Sequence, residues 1–404
     1  MYSKDTRKTT FLHLLYPVMG ESIKQKIKES GVDRYVKKLF GFKLVIILIF
    51  AMLNKCRSLR DIASHFDNDE FQEFTGLKSI SHSQISRRLR VFPPQLARFI
   101  YNTAVAELRK ELSFKPIKQR PILKIVDSSV ITCAVKKFLW ARFRKTKAGI
   151  KIHLKIDFSY GHSIPEDNTV TTQNIADNSE TDNLVVNDED TIHVLDRAYV
   201  DYARFDRYCD ENTLFVTRLK SNAVKTVIEE YPAGGVITRY QKVILGNGKK
   251  KMRNPLLLIE TKDSEGTPIT IITNDFQRSC TEIAEIYRNR WQIEIFFKWV
   301  KQNLEIKHFY GTSPRAVETQ LLMALTTYCL LLLVKLRYGV SEDLLKIKRC
   351  FIACLYEEFE TFLRKILKKP TRTSRGRKKI DYEGEFKEIE RQVMSGEANH
   401  LLMV

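Results

Sequence analysis

The chain reads as an α/β protein in which a mixed sheet covered by helices follows an α-helical N-terminal region. Three observations predict this. Residues 1 to about 115 carry helical patterns and few β-rich runs. From Pro121 onward, β-branched runs come first as three strands and then alternate with helical patterns, an order that builds a mixed sheet flanked by helices. A hydrophobic content of 43% over 404 residues supports real cores in two or three domains.

The elements follow in order. Leu44 to Leu53 is strongly apolar and reads as a core helix. Arg57 to Phe66 is amphipathic, and Ser81 to Arg90 offers serine N-caps ahead of a basic helix. Together they suggest a helix-turn-helix-like DNA reader with a long connector, or else a plain structural bundle. Pro93-Pro94 breaks the pattern, and after a further helix Lys115 to Arg120 form a basic link into the strands. Strands are expected at Pro121 to Ile131, Ile150 to Phe158, Thr169 to Thr172, Ile192 to Leu195 and Leu214 to Leu219, with helices at Asp177 to Val186 and Val200 to Cys209. Short β-like runs at Val236 to Tyr240, Lys242 to Leu245, Leu256 to Glu260 and Ile269 to Thr273 are separated by the turn signals Gly246-Asn-Gly248 and Glu265-Gly-Thr-Pro268. A helix over Tyr287 to Lys301 and an apolar one from Pro314 to Arg337 complete the core. The expected divisions are 1–115, 116–337 with a β-rich insertion at about 221–275, and 338–404, a helical region with a basic tail rich in Lys and Arg between Leu363 and Ile380.

Three carboxylates stand out. Asp127 interrupts a β-branched run, where an aspartate is unfavourable and its burial is costly unless a cation is bound. Asp196 repeats the device where the Ile192 to Leu195 strand gives way to a helix. Glu294 lies on the third segment: wound at about 100° per residue, Tyr287, Arg290, Glu294 and Lys301 share one stripe, and Ile286, Ile293, Phe297, Val300 and Leu304 lie opposite. Taken singly, each has an ordinary reading, as an edge-strand or turn aspartate or as an i,i+4 surface pair worth a few tenths of a kcal/mol.

The order tyrosine, two residues, arginine, three residues, glutamate, six residues, lysine resembles the Tyr-Arg-Glu-Lys motif of bacterial DDE transposases of the insertion sequence 4 family. The segments around Asp127 and Asp196 resemble that family's first two catalytic motifs, with Ser129 where threonine is frequent and Ala198 where glycine is frequent. The resemblance covers roughly Lys115 to Arg337. It implies a ribonuclease-H-like core with a β-rich insertion between the second aspartate and the glutamate, which are 98 positions apart here. It also implies that Asp127, Asp196 and Glu294 are catalytic and hold two Mg²⁺ or Mn²⁺ ions. Three carboxylates suit hard divalent cations, and a two-metal site serves in-line displacement at phosphorus. Arg290 and Lys301 are expected on phosphate oxygens and Tyr287 on a phosphate or base, with Lys298, Trp291, Arg87 and Arg88 as further DNA contacts. Crowded together without metal, at least one of the carboxylates should have a raised pKa.

The implied activity is binding of terminal inverted repeats in double-stranded DNA, hydrolysis at each end, and attack of the freed 3′-hydroxyl on target DNA, by a homodimer assembled on the DNA. A nuclease with the same core but no strand transfer, and a catalytically inactive DNA-binding derivative, are the alternatives. Composition agrees with a polyanionic partner: 68 Lys plus Arg against 48 Asp plus Glu give a net charge of +20. Between Ser128 and Ile156 there is no acidic residue, while Lys136, Lys137, Arg142, Arg144, Lys145, Lys147, Lys151 and Lys155 accumulate, interleaved with Phe138, Trp140 and Phe143. A solvated hairpin rim is the bland reading of that run.

Other chemistries lack their parts. Seven cysteines include no Cys-x-x-Cys pair, eight histidines are scattered, and His153 reads as an alternating strand residue. There is no Walker loop, Gly-x-Gly-x-x-Gly or Gly-x-Ser-x-Gly motif. Leu44 to Leu53 and Leu321 to Val334 are shorter than the ~20 residues of a membrane span. With no disulfide pattern or targeting element, a cytoplasmic, nucleoid-associated location is expected.

Overall fold

The computed structural model describes residues 9–113, 122–159, 161–188, 190–262 and 266–368. Seven helices come first: α1 (Thr10–Leu15), α2 (Glu21–Glu29), α3 (Gly41–Asn54), α4 (Leu59–Ser64), α5 (Asp69–Thr75), α6 (His82–Val91) and α7 (Pro94–Ser113). The sheet region holds β1 (Ile122–Cys133), β2 (Arg142–Arg144), β3 (Lys147–Ser159), β4 (His162–Thr172), α8 (Thr181–Leu184), β5 (Thr191–Leu195), α9 (Tyr202–Asp210) and β6 (Leu214–Arg218). Strands β7 (Lys225–Glu230), β8 (Ile237–Leu245), β9 (Leu256–Lys262) and β10 (Pro268–Thr273) follow, then α10 (Cys280–Arg288), α11 (Trp291–Asn303), α12 (Pro314–Arg337), α13 (Leu344–Ala353) and α14 (Phe359–Leu367). The basic link Lys115 to Arg120, Glu265 of the second turn signal and the tail from Lys369 lie outside the described residues.

In the N-terminal region, Ser58 caps α4, and Ser81 caps α6 through a capping box with Gln84, so two serines mark helix starts as their chemistry requires. The connector between them is itself a helix. Asn68 starts α5, and Gly76 ends it in the left-handed conformation, which makes three successive helices where a helix-turn-helix pair with a long connector was expected. Leu44 to Leu53 of α3 are all buried, as a helix apolar on every side must be. Its neighbour α12 is longer than its most apolar stretch. By length and composition α12 is able to cross a membrane, yet 94% of its most apolar window is buried inside the fold. It packs against α3, α6 and α7, and the side chains of these helices belong to one apolar cluster that also reaches β1, β3 and α11. Residues up to Ile366 form one compact unit.

The strands make one mixed sheet in the order β2-β3-β1-β5-β6-β10-β9-β8-β7, with β4 paired to β3. Strands β1, β5 and β6 run parallel, and the other pairs are antiparallel. The β-rich segment extends this sheet, because β10 pairs with β6. The two runs expected at 236–245 are one strand, β8. Strand β7 escapes a hydrophobicity reading because Lys225–Glu230 is an exposed edge strand with charged ends, while the three-residue β2 is too short to show a pattern. Gly246 makes the turn after β8: its φ is +82°, and a Cβ there would lie 2.2 Å from the Lys250 carbonyl oxygen. The helix expected at Asp177 to Val186 is a 3₁₀ turn, Asp177–Glu180, followed by the short α8.

Candidate active site

Register brings the two aspartates together. Val126 of β1 is paired with Leu195 of β5, and Leu195 with Thr217 of β6. Asp127, Asp196 and Arg218 are therefore the next positions along three neighbouring parallel strands, at the carboxyl edge where open α/β sheets present their ligand sites. Each aspartate is held in the same way, its Oδ1 accepting the amide of the following residue at 2.7 Å, Ser128 for Asp127 and Arg197 for Asp196. Asp196 also caps a 3₁₀ turn, Arg197–Tyr199. Ala198 does not have a positive φ in that turn, so the position does not demand glycine.

Glu294 arrives from α11, which packs on β1. The expected continuous helix over Tyr287 to Lys301 is two helices, since Asn289 and Arg290 form a tightened turn with i→i+3 bonds, Asn289 N–H to the Ile286 carbonyl and Arg290 N–H to that of Tyr287. Both residues keep right-handed helical angles, so the stripe survives the joint. Arg290 bridges the carboxylates: Nη2 donates to Glu294 Oε1 at 2.6 Å, and Nη1 lies 4.0 Å from Asp127 Oδ2. The apolar side is buried as expected, Ile293 and Leu304 fully and Ile286, Phe297 and Val300 nearly so.

The Asp127 carboxyl is pushed up to about 6. Burial is the main cause, the charges of Asp196 and Glu294 add to it, and the Ser128 amide and Arg290 work against it. The direction matches the crowding argument, but desolvation outranks repulsion. Asp127, Asp196 and Glu294 are all half-buried, so the cluster is open to solvent.

The expected DNA contacts are placed unequally. Trp291 is 56% exposed beside the Arg290 guanidinium, Lys298 is exposed one face along, and Arg87 is exposed on α6. Tyr287 is only 7% exposed, and burial pushes its phenol up to about 12, so it has no open ring face for a base. Lys301 donates to the Val130 carbonyl at 3.0 Å and so ties α11 to β1. Arg88 donates to the Val32 carbonyl and Asp33 at 2.9 and 2.8 Å, which fastens α6 to the loop before α3. The basic run divides too. Lys136, Lys137, Arg142, Arg144, Lys145 and Lys147 are exposed, but Lys151 and Lys155 are buried and paired with Asp177 and Glu166. His153 is buried between Thr171 and Asp177.

Two neighbours of the cluster were missed in the sequence. Arg218 lies close enough to Tyr287 to lower its pKa, and the signal for it was its place at the end of the strand after Asp196. Tyr199, three residues past Asp196, is buried with its phenol against Ser128, and burial and the nearby acids raise its pKa.

A family model described as a transposase DDE domain matches residues 118–330, more than half of the chain. The chain belongs to that family. As a DDE transposase it joins a class that generally depends on divalent metal. A second model, described as a domain of unknown function, matches residues 6–71. The chain is 27% identical over 333 residues to a probable transposase for insertion sequence element IS5377 of Geobacillus stearothermophilus, covering 80% of this chain and 84% of that protein. It is 29% identical over 245 residues to a putative transposase of Sinorhizobium fredii, covering 59% of this chain and 68% of the relative. A putative transposase for insertion sequence element IS4SA of Synechocystis matches at 26% over 252 residues, 58% of this chain and 67% of that one. A solved synaptic complex of piggyBac transposase with hairpin DNA superposes at a TM-score of 0.44 and 12% identity over 91% of this chain and 84% of that one, too loosely to bear on the site.

Proposed function

We propose that this DDE transposase moves an insertion sequence, with Asp127, Asp196 and Glu294 as its catalytic carboxylates and a Tyr-Arg-Glu-Lys helix of the insertion sequence 4 type. The observation that carries the reading is the convergence of three half-exposed acids, one within β1, one just past the end of the adjacent β5 and one on α11, against one close cation. That donor set is all oxygen and acid-rich, and it fits two Mg²⁺ or Mn²⁺ ions. When bound, the ions supply activation of the attacking oxygen and charge neutralisation at the departing one. Arg290 offsets part of the acids' charge in the free protein and is placed for a phosphate oxygen. The antiparallel β4-β3-β1 unit leading into parallel β5 and β6 supports a ribonuclease-H-like core, and β7 to β10 would be the insertion.

DNA contact falls, on this reading, to Trp291, Lys298, Arg218 and Arg87, and to the exposed cations of the β1–β3 connection. Trp140 of that connection donates from Nε1 to the Thr312 carbonyl, so the basic rim is fastened beside the chain leaving α11. The N-terminal helices α4 to α6 would read the terminal inverted repeats. Joining two ends to target DNA calls for two active sites, hence two chains on the DNA, in the cytoplasm beside the nucleoid. The test supplies the purified chain with Mg²⁺, labelled DNA bearing the flanking inverted repeats and a second DNA as target. Joined product is expected. Cleavage without joining would leave a nuclease, and binding alone an inactive derivative.

A further inference from the structure

Away from the carboxylates, three side chains of different metal-binding chemistry meet. The ligating atoms of Cys56, Asp61 and His65 all lie within 4.8 Å of one another. Local structure explains the meeting. Helix α3 ends at Lys55 in the left-handed conformation, with φ of 55°, and the reversed chain carries Cys56 into the core, where it is 1% exposed. Ser58 then starts α4, and Asp61 and His65, four apart, fall on one face.

The cluster has the supports of a built site. Asp61 Oδ2 accepts the Arg57 amide at 2.7 Å, which fixes the carboxylate, and Oδ1 stands 4.0 Å from His65 Nε2. The His65 ring is set edge-on to Phe50, with centroids 4.9 Å apart. Tyr310 closes the far wall, its phenol donating to the Cys56 carbonyl at 2.6 Å. Asp61 and His65 are partly exposed, which leaves an entry path to the buried thiol.

We infer that Cys56, Asp61 and His65 bind a borderline-soft divalent cation of the Zn²⁺ type. One thiolate, one imidazole and one carboxylate make three ligands, with a fourth tetrahedral position left for water. Metal–ligand bonds of about 2.0–2.3 Å put tetrahedral donors roughly 3.5 Å apart, so the site needs only a small closure. The thiol and imidazole select against Mg²⁺, which demands oxygen, so this site and the carboxylate cluster would take different metals. The ligands stand on the N-terminal helices within the region matched by the domain of unknown function, and the wall residue Tyr310 follows the helix of Glu294 and Lys301. An ion here would clamp the turn from α3 into α4, beside the segment between α11 and α12 that carries Tyr310.

The test titrates the metal-free full chain with Co²⁺ as a spectroscopic stand-in for Zn²⁺. Expected is a thiolate-to-cobalt charge-transfer band saturating at one equivalent, removed by Zn²⁺, untouched by excess Mg²⁺, absent in Cys56→Ser and weakened about tenfold or more in His65→Ala. Thermal melts guard against misfolding: the variants should melt as cooperatively as the wild type in chelator, and the wild type should gain more from Zn²⁺ than either variant. No thiolate band in the wild type, or an equal band or equal Zn²⁺ gain in both variants, would overturn the inference.

Discussion

Two charged clusters sit on opposite faces of the β1–β3 strand pair, and only one of them is neutral. On one face Lys124, Lys155 and Arg109 surround Glu166, with Asp157 and Asp188 completing three cations against three acids. On the other face Asp127, Asp196 and Glu294 have Arg290 as their close cation. The even-numbered Lys124 and odd-numbered Asp127 are directed to opposite sides by the strand period alone. The lysines of the first cluster are buried, Arg109 and Asp188 stand at its exposed edge, and its charges balance within the chain, as burial of ions requires. The second is open and keeps a surplus of negative charge, which a bound cation would complete.

The sharpest way to break this contrast is to remove charge from each cluster in turn. Asp127→Asn, Asp196→Asn or Glu294→Gln should each lower cleavage about a thousandfold or more while DNA binding persists, because a metal-ligand charge is lost with little volume. Near-wild-type cleavage by one variant, measured on labelled ends, would remove that residue from the site. Glu166→Gln should act on stability instead. It strands Lys124 and Lys155 in a buried position, at a cost of about 3–5 kcal/mol by urea unfolding, with the activity of the folded fraction retained. A loss below 1 kcal/mol would mean that Asp157 and Asp188 suffice.

The raised pKa of Asp127 sharpens the comparison through pH. Its folded value of about 6 lies above the ordinary carboxylate value, so ionisation destabilises the metal-free fold. The penalty is full above about pH 6 and fades as pH falls toward 4. In chelator at pH 8, Asp127→Asn should therefore be more stable than the wild type by up to about 3 kcal/mol, with the gap closing near pH 4. Equal stability across that range would show that Arg290 already neutralises the group. The smallest effects concern cations. Arg87→Ala should reduce the salt dependence of DNA binding by about one unit of slope, whereas Lys301→Ala should cost about 1 kcal/mol of stability and leave the slope unchanged. A changed slope for Lys301 would return it to the DNA surface.

What was legible depended on whether a signal was local. Asp127 and Asp196 were visible as candidates because a carboxylate inside or just after a β-branched run conflicts with local preference, and Glu294 because a helical stripe is a matter of spacing. Ser58 and Ser81 were visible as caps because capping is satisfied within four residues. By contrast, Lys151 and Lys155 looked like Lys145 and Lys147, and only cross-strand neighbours, Asp177 and Glu166, distinguish a buried pair from a solvated cation. Arg88 and Lys301 likewise found acceptors on distant segments, at Asp33 with Val32 and at Val130. Strand β7 stayed hidden because an exposed edge needs no apolar face.

The sequence by itself determined the run of helices before the sheet, the three carboxylate-bearing segments and the buried side of α11, since propensity, period and capping act over a few residues. Only the tertiary structure decided that the β-rich segment extends the main sheet, that Arg218 stands level with the two aspartates, and that Lys301 reaches the Val130 carbonyl. Register between strands and the packing of helix ends are set by contacts between residues tens to hundreds of positions apart, and no local pattern encodes which of those contacts forms.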